Sequence, residues 1–172
     1  RLLKLGVRTI EHGNLLDEAN CAEFVEHDAY LVPTLSTYQA IATEGLEAGM
    51  ASELQAKVHD VLDAGAKAVE LAYNNGVKMI YGTDLLGTSH RHQLNEFSLR
   101  SRVVPAADLI RSATCMAAEA FMAEGDFGVI CAGARADLLI VDGNPLDDIS
   151  VLQEPERNLV AIMKGGRFYK NN

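Results

Sequence analysis

Short apolar runs alternate with longer stretches of helical spacing over the first two thirds of the chain, which predicts parallel α/β units. Gly6-Val7-Arg8-Thr9-Ile10 reads as a first strand. Asp17 is placed to cap a helix running to about His27, with Ala22, Phe24 and Val25 as inward candidates. Tyr30-Leu31-Val32-Pro33-Thr34 is a second strand and Val77 to Tyr81 a third. Between them, Ser36 to Met50 is rich in Thr, Ala and Glu and broken by glycine, and it reads as a long loop of the kind that serves as a lid. Ser52 to Asn74 carries Leu54, Val58, Val61, Leu62 and Val69 at helical spacing and stops at Asn74-Asn75-Gly76, the clearest helix of the chain.

A glycine-rich loop from Gly82 to His92 leads to a helix over Gln93 to Arg100. Pro105 suits the start of a further helix through Arg111, and Thr114 the cap of another through Met122. From Phe127 the pattern changes to short β runs and turns. Leu138 to Val141 lies between Asp137 and Asp142, and Leu159 to Lys164 with Arg167 to Tyr169 form a hairpin around Gly165-Gly166. A boundary near Gly125 divides residues 1–125 from residues 126–172. The opening Arg1-Leu2-Leu3-Lys4-Leu5-Gly6 reads as the last turn of a helix closed by glycine, as in a chain that starts inside a domain.

Composition narrows the function classes. With 172 residues and 48% hydrophobic content the chain has the apolar material for about one domain. Its net charge of −9 disfavours nucleic acid and anionic membrane as partners. No apolar run reaches the roughly 18 residues that span a bilayer and no signal peptide is visible, so the expected compartment is the cytoplasm. Cys21, Cys115 and Cys131 are odd in number and widely spaced, which favours free thiols over disulfides or a structural zinc site.

Two strand ends carry the chemistry. Thr9-Ile10-Glu11-His12-Gly13 closes the first strand and Ile80-Tyr81-Gly82-Thr83-Asp84 closes the third. His12 and Asp84 are both metal-type ligands, but a catalytic zinc takes three protein ligands plus water, so two are an incomplete set. Glu11 is expected to face away from the site because neighbouring strand residues alternate. Thr37 and Tyr38 follow the second strand and His90 and His92 the third, within reach of a substrate at the same rim.

The run Gly6 to Gly13, the strand end Tyr81-Gly82-Thr83-Asp84, and the tail Gly128 to Asp142 with Asn144-Pro145-Leu146 together resemble the C-terminal half of the amidohydrolase superfamily. The resemblance covers nearly the whole chain and is nearest to the imidazolonepropionase-like and Xaa-Pro dipeptidase-like branch. It implies strands 6–8 of a TIM-like (β/α)8 barrel followed by part of a small β-sandwich. It also implies one or two divalent metal ions, zinc in the first instance, at the C-terminal ends of the strands. On this mapping His12 is the strand-6 histidine, a ligand of the more exposed metal. Asp84 is the strand-8 aspartate, both ligand of the buried metal and catalytic proton carrier. Thr37, Tyr38 and His90 are the substrate-binding candidates.

The family's His-x-His after strand 1, its bridging lysine or acid on strand 4 and its strand-5 histidine have no counterpart here. His90-Arg91-His92 has the His-x-His spacing but follows the last strand, and Lys78 sits early in that strand, toward the opposite end of the barrel. The implied activity is metal-assisted hydrolysis of an amide or other C–N bond, foremost in a dipeptide or N-acyl amino acid. The alternatives are a deaminase or cyclic-amide hydrolase of the same superfamily, or a non-catalytic half-barrel that serves binding or assembly. Three strands of a barrel leave open edges, so the expected partners are a small amide substrate and either the missing N-terminal half or a second copy of the chain.

Overall fold

The computed structural model describes residues 1–46 and 49–171. Its first sheet is parallel, in the order β1 (Thr9–Glu11), β2 (Tyr30–Val32), β3 (Lys78–Met79). The register pairs Ile10 with Leu31 and Leu31 with Met79. Two further bonds carry the pairing toward the strand ends: His12 N–H donates to Val32 O at 2.9 Å and Ile80 N–H to Leu31 O at 3.0 Å. Tyr30 and Leu31 are fully buried, as a central strand covered on both faces requires.

Helix α1 (Glu18–Glu26) connects β1 to β2, and the Asp17 carboxylate caps it by accepting Asn20 N–H at 2.7 Å. Its buried side chains are Cys21 and Phe24; Ala22 and Val25, expected inward, are exposed. At about 100° per residue, Val25 and Ala22 fall roughly 70° and 130° round the helix from the midpoint of the Cys21–Phe24 face.

The segment expected to be a lid is instead a helix, α2 (Leu35–Glu44), with Leu35, Ser36, Ala40 and Ala42 buried. Its apolar face is made of small residues and packs against α3 (Ser52–Asn74), which buries Ala68, Val69 and Ala72. Small side chains give a weak periodicity in sequence but allow close helix packing. Of the expected lid, Glu47 and Ala48 lie outside the described residues.

Beyond β3 the chain makes a 3-10 turn at Gly87–His92 and three short helices: α4 (Asn95–Arg100), α5 (Ala106–Ser112) and α6 (Cys115–Ala120). Pro105 occupies the cap of α5 rather than its first turn. Thr114 does not cap α6, because its hydroxyl donates back to Ile110 O at 2.7 Å. Leu31, Leu35, Val69, Met79, Phe97 and Leu109 form the heart of the core between the sheet and these helices.

The tail builds a second sheet, antiparallel, in the order β4 (Leu138–Val141), β5 (Leu159–Lys164), β6 (Arg167–Asn171), with α7 (Pro155–Asn158) leading into β5. The expected glycine-turn hairpin is β5–β6. Strand β4 is an edge whose Leu139 and Ile140 are 55% and 57% exposed.

At the N-terminal ends of the parallel strands, Lys78 Nζ lies 2.7 Å from Asp28 Oδ1 and 2.6 Å from Glu119 Oε1, over the face of the Tyr30 ring. Its pKa is pushed up by these hydrogen bonds, to Asp28 first, while both carboxylates are held below their usual range by the lysine. Lys78 is therefore committed to an ion-pair cluster away from the C-terminal strand ends, as its early position in the strand predicts. The three cysteines are free. Among the described residues no helix is long and apolar enough to cross a membrane.

Candidate active site

His12 and Asp84 follow the C-terminal ends of β1 and β3, the two strands that flank β2, and both have a left-handed backbone, with φ 67° and 52°. Such a conformation costs a non-glycine residue about 1 kcal/mol, and histidine and aspartate are among the side chains that tolerate it best. His12 Nε2 stands 3.9 Å from Asp84 Oδ2, with the two side chains 41% and 56% exposed.

The ring is held from its other nitrogen. His12 Nδ1 lies 2.7 Å from the hydroxyl of Thr34, a residue that is 2% exposed. In the tautomer protonated at Nδ1, the ring donates to Thr34 and the Nε2 lone pair faces Asp84. Asp84 is held through its backbone, whose carbonyl accepts the Thr37 hydroxyl at 3.0 Å. The Tyr38 ring meets the His12 ring edge-on, 6.1 Å between centroids.

The structure thus gathers His12, Asp84, Thr37 and Tyr38 in one place, with Thr37 and Tyr38 on the first turns of α2. His90 is exposed in the 3-10 turn and makes no hydrogen bond with this cluster among the described residues. The polar contacts of that turn belong to its neighbours. Glu44, at the end of α2, receives Arg91 on Oε2 and His92 Nε2 on Oε1, each at 2.6 Å, and these contacts hold its carboxyl below the usual range, His92 contributing most. Glu11 is exposed and accepts the Thr9 hydroxyl at 2.8 Å.

Several residues that shape the site were not candidates from the sequence. Thr34 looked like the last residue of a strand, and Glu44 like one of the acids of the long loop expected over Ser36 to Met50. Glu96 and Arg100, both 0% exposed, lie on α4 beneath the strand ends. Burial pushes the Glu96 carboxyl up and the Arg100 guanidinium down from their ordinary values, while each one's charge opposes the shift of the other. Four residues apart, they carry no signal that separates them from a surface ion pair.

The donor set fits a divalent ion. The 3.9 Å between His12 Nε2 and Asp84 Oδ2 suits ligands about 2.1 Å from one ion, which stand about 3.4 Å apart, and equally ligands of two ions about 3.5–4 Å apart. The Thr34 contact at Nδ1 is the kind of outer partner that fixes a ligating imidazole. No group of three or more His, Cys, Asp and Glu side chains able to hold a metal occurs among the described residues. His12 and Asp84 by themselves are two donors, short of the three protein ligands a catalytic zinc takes.

The sequence profile of the amidohydrolase family matches residues 1–168. Ochratoxinase of Aspergillus niger is 27% identical over 169 residues, 98% of this chain and 35% of that protein. Among solved structures, a prolidase complexed with N-methylphosphonate-L-proline is 45% identical with a TM-score of 0.92, over 99% of this chain and 42% of that one. A Xaa-Pro dipeptidase with methionine bound in its active site is 30% identical with a TM-score of 0.84, over 98% and 41%. The chain thus spans well under half the length of the relatives it matches, while nearly all of it falls within the match. On the extent of that match, and with the α/β architecture it shares with these structures, the chain belongs to the amidohydrolase family.

Proposed function

We propose that this chain supplies strands 6–8 of a (β/α)8 barrel, over residues 1–125, and part of a β-sandwich, over residues 126–172, to a metal-dependent enzyme that hydrolyses amide bonds. The proposed substrate class is a dipeptide or N-acyl amino acid, in the manner of a prolidase. The observation that carries this reading is the His12–Asp84 pair, 3.9 Å apart at the ends of parallel strands, with the histidine oriented by Thr34. The prolidase and Xaa-Pro dipeptidase structures among its relatives support the substrate class.

When bound, a divalent ion, zinc in the first instance, would acidify water and polarise the amide carbonyl. His12 Nε2 and one Asp84 oxygen would be the ligands from this chain, to one ion or to each of two neighbouring ions, completed by residues from the rest of the barrel. Asp84 then has a second task. Its carboxylate accepts a proton from the attacking water and delivers it to the amine as the C–N bond breaks. The Thr37 hydroxyl fixes the backbone from which that carboxylate reaches out. Tyr38 and the Thr37 side chain line the rim, where with His90 they contact the substrate.

The test uses the intact protein with an Xaa-Pro dipeptide and measures proline release alongside bound metal. Hydrolysis lost to a chelator and restored by zinc, together with a drop of about 10²–10⁴-fold in kcat for Asp84→Asn, is the expected result. Turnover that survives both chelation and Asp84→Asn would overturn it.

A further inference from the structure

The first turn of α2 needs a hydrogen-bond acceptor, and the residue at its cap does not provide one. Thr34 is the N-cap, the place where a threonine hydroxyl ordinarily accepts an N–H of the first turn, yet its side chain makes no capping bond. The hydroxyl is engaged with His12 Nδ1 instead. The acceptor comes from sixty residues further on: Glu96 Oε2 takes the Ser36 N–H at 2.7 Å, with Glu96 0% and Ser36 1% exposed. A carboxylate at a helix N-terminus is also favoured by the helix dipole.

The same helix reaches the neighbouring strand end. Arg100, also 0% exposed, donates from Nη1 to Ile80 O at 3.2 Å, and Gln93 O, just before α4, accepts the Tyr81 hydroxyl at 2.6 Å. Helix α4 therefore touches the start of α2 through Glu96 and the end of β3 through Arg100. Two buried charges are an expensive way to hold a core together, and apolar residues of similar volume commonly do it as well or better.

We propose that Glu96 is a positioning residue for His12: by capping α2 from across the core it frees the Thr34 hydroxyl to orient the imidazole, and Arg100 is retained to offset its buried charge and anchor β3. This rests on the reading of His12 as a metal ligand. With Glu96 gone, Thr34 turns back to cap its own helix and the ring loses its partner.

The experiment compares the intact protein with Glu96→Gln and with the double variant Glu96→Met/Arg100→Met. The double variant removes both charges and leaves neither partner buried alone, so it is the form that keeps the fold. Three quantities are read: the thermal midpoint, the ¹⁵N shifts of the His12 ring where the imidazole is neutral, and the dissociation constant for zinc. In the double variant the thermal midpoint stays near or above that of the parent. His12 passes from the single Nδ1-protonated tautomer to a mixture, and zinc binds about 10-fold more weakly. Glu96→Gln retains an oxygen for the Ser36 N–H and keeps the His12 tautomer of the parent.

A folded double variant with unchanged His12 shifts overturns the proposal, as does a Glu96→Gln protein in which His12 changes as much as in the double variant. If the parent itself binds no zinc, the metal reading fails, and the His12 shifts still decide the role of Glu96.

Discussion

Gly82 lies against Val32 with no room for a methyl group: a Cβ at position 82 would overlap Val32 Cγ1. Because Gly82 stands two residues before Asp84 and Val32 two before Thr34, this contact sets how closely the two strand ends approach at the site. Gly82→Ala should therefore destabilise the fold by about 1–3 kcal/mol through overpacking. Adding Val32→Ala should recover more than half of that loss, a coupling that a double-mutant cycle from denaturant unfolding would measure. Simple additivity of the two substitutions would show that the contact does not set the spacing.

The hydroxyl of Thr34 is worth more to the site than to the fold. Thr34→Val keeps the shape and removes the hydroxyl partner of His12 Nδ1, so zinc affinity should fall by about 10-fold or more, and Thr34→Ser should restore most of it. Equilibrium titration with zinc on the three proteins checks this. Equal affinity for all three would mean that the ring is held by packing alone, through Tyr38 and the strand.

The 3-10 turn after Asp84 should loosen in acid. Glu44 has its pKa lowered by His92 and Arg91, so its contribution is present above the ordinary carboxylate value, about 4.3, and is lost as pH falls through the depressed one. Hydrogen-exchange protection of the amides at Ser89 and Gln93, which bond to Leu86 O and His90 O, should hold at pH 6 and drop toward pH 3. Glu44→Gln should show the low protection already at pH 6 and little further change. A turn equally protected across this range in both proteins would leave the Glu44 pairs without a tethering role.

Strand β4 predicts association. Leu139 and Ile140 point to opposite faces of an edge strand and both are more than half exposed, and nearby Ile130 is 91% exposed. The 172-residue chain by itself should self-associate at about micromolar concentration, and Ile140→Lys should shift it toward monomer without loss of helix content. Sedimentation velocity with circular dichroism on both chains is the measurement. A parent chain that stays monomeric would sink the idea that this edge needs a cover.

What the sequence disclosed and what it hid divide along a physical line. The parallel strands were legible because Tyr30-Leu31-Val32 is a bounded apolar run, and the long α3 because its apolar positions recur over many turns. His12 and Asp84 stood out because strand ends are where barrel chemistry gathers. Helix α2 was hidden because its buried face is Leu35, Ala40 and Ala42, a faint stripe, and because its cap is Glu96, which no local pattern could connect to it. Thr34 was hidden for the same reason: its role is a contact with a residue on another strand. Local periodicity reports what a segment needs from its own neighbours, and these roles are set by partners distant in the chain.

The left-handed backbone at His12 and Asp84 has a bearing on descent. Glycine would relax either position by up to about 1 kcal/mol, and asparagine would sit there nearly as comfortably, so the fold itself gives no reason to keep an imidazole and a carboxylate. On the proposed reading, a lineage released from hydrolysis should drift at these two sites first, toward residues that suit the turn. Their joint retention in a branch of relatives would mark selection for chemistry, and their joint loss would date its abandonment.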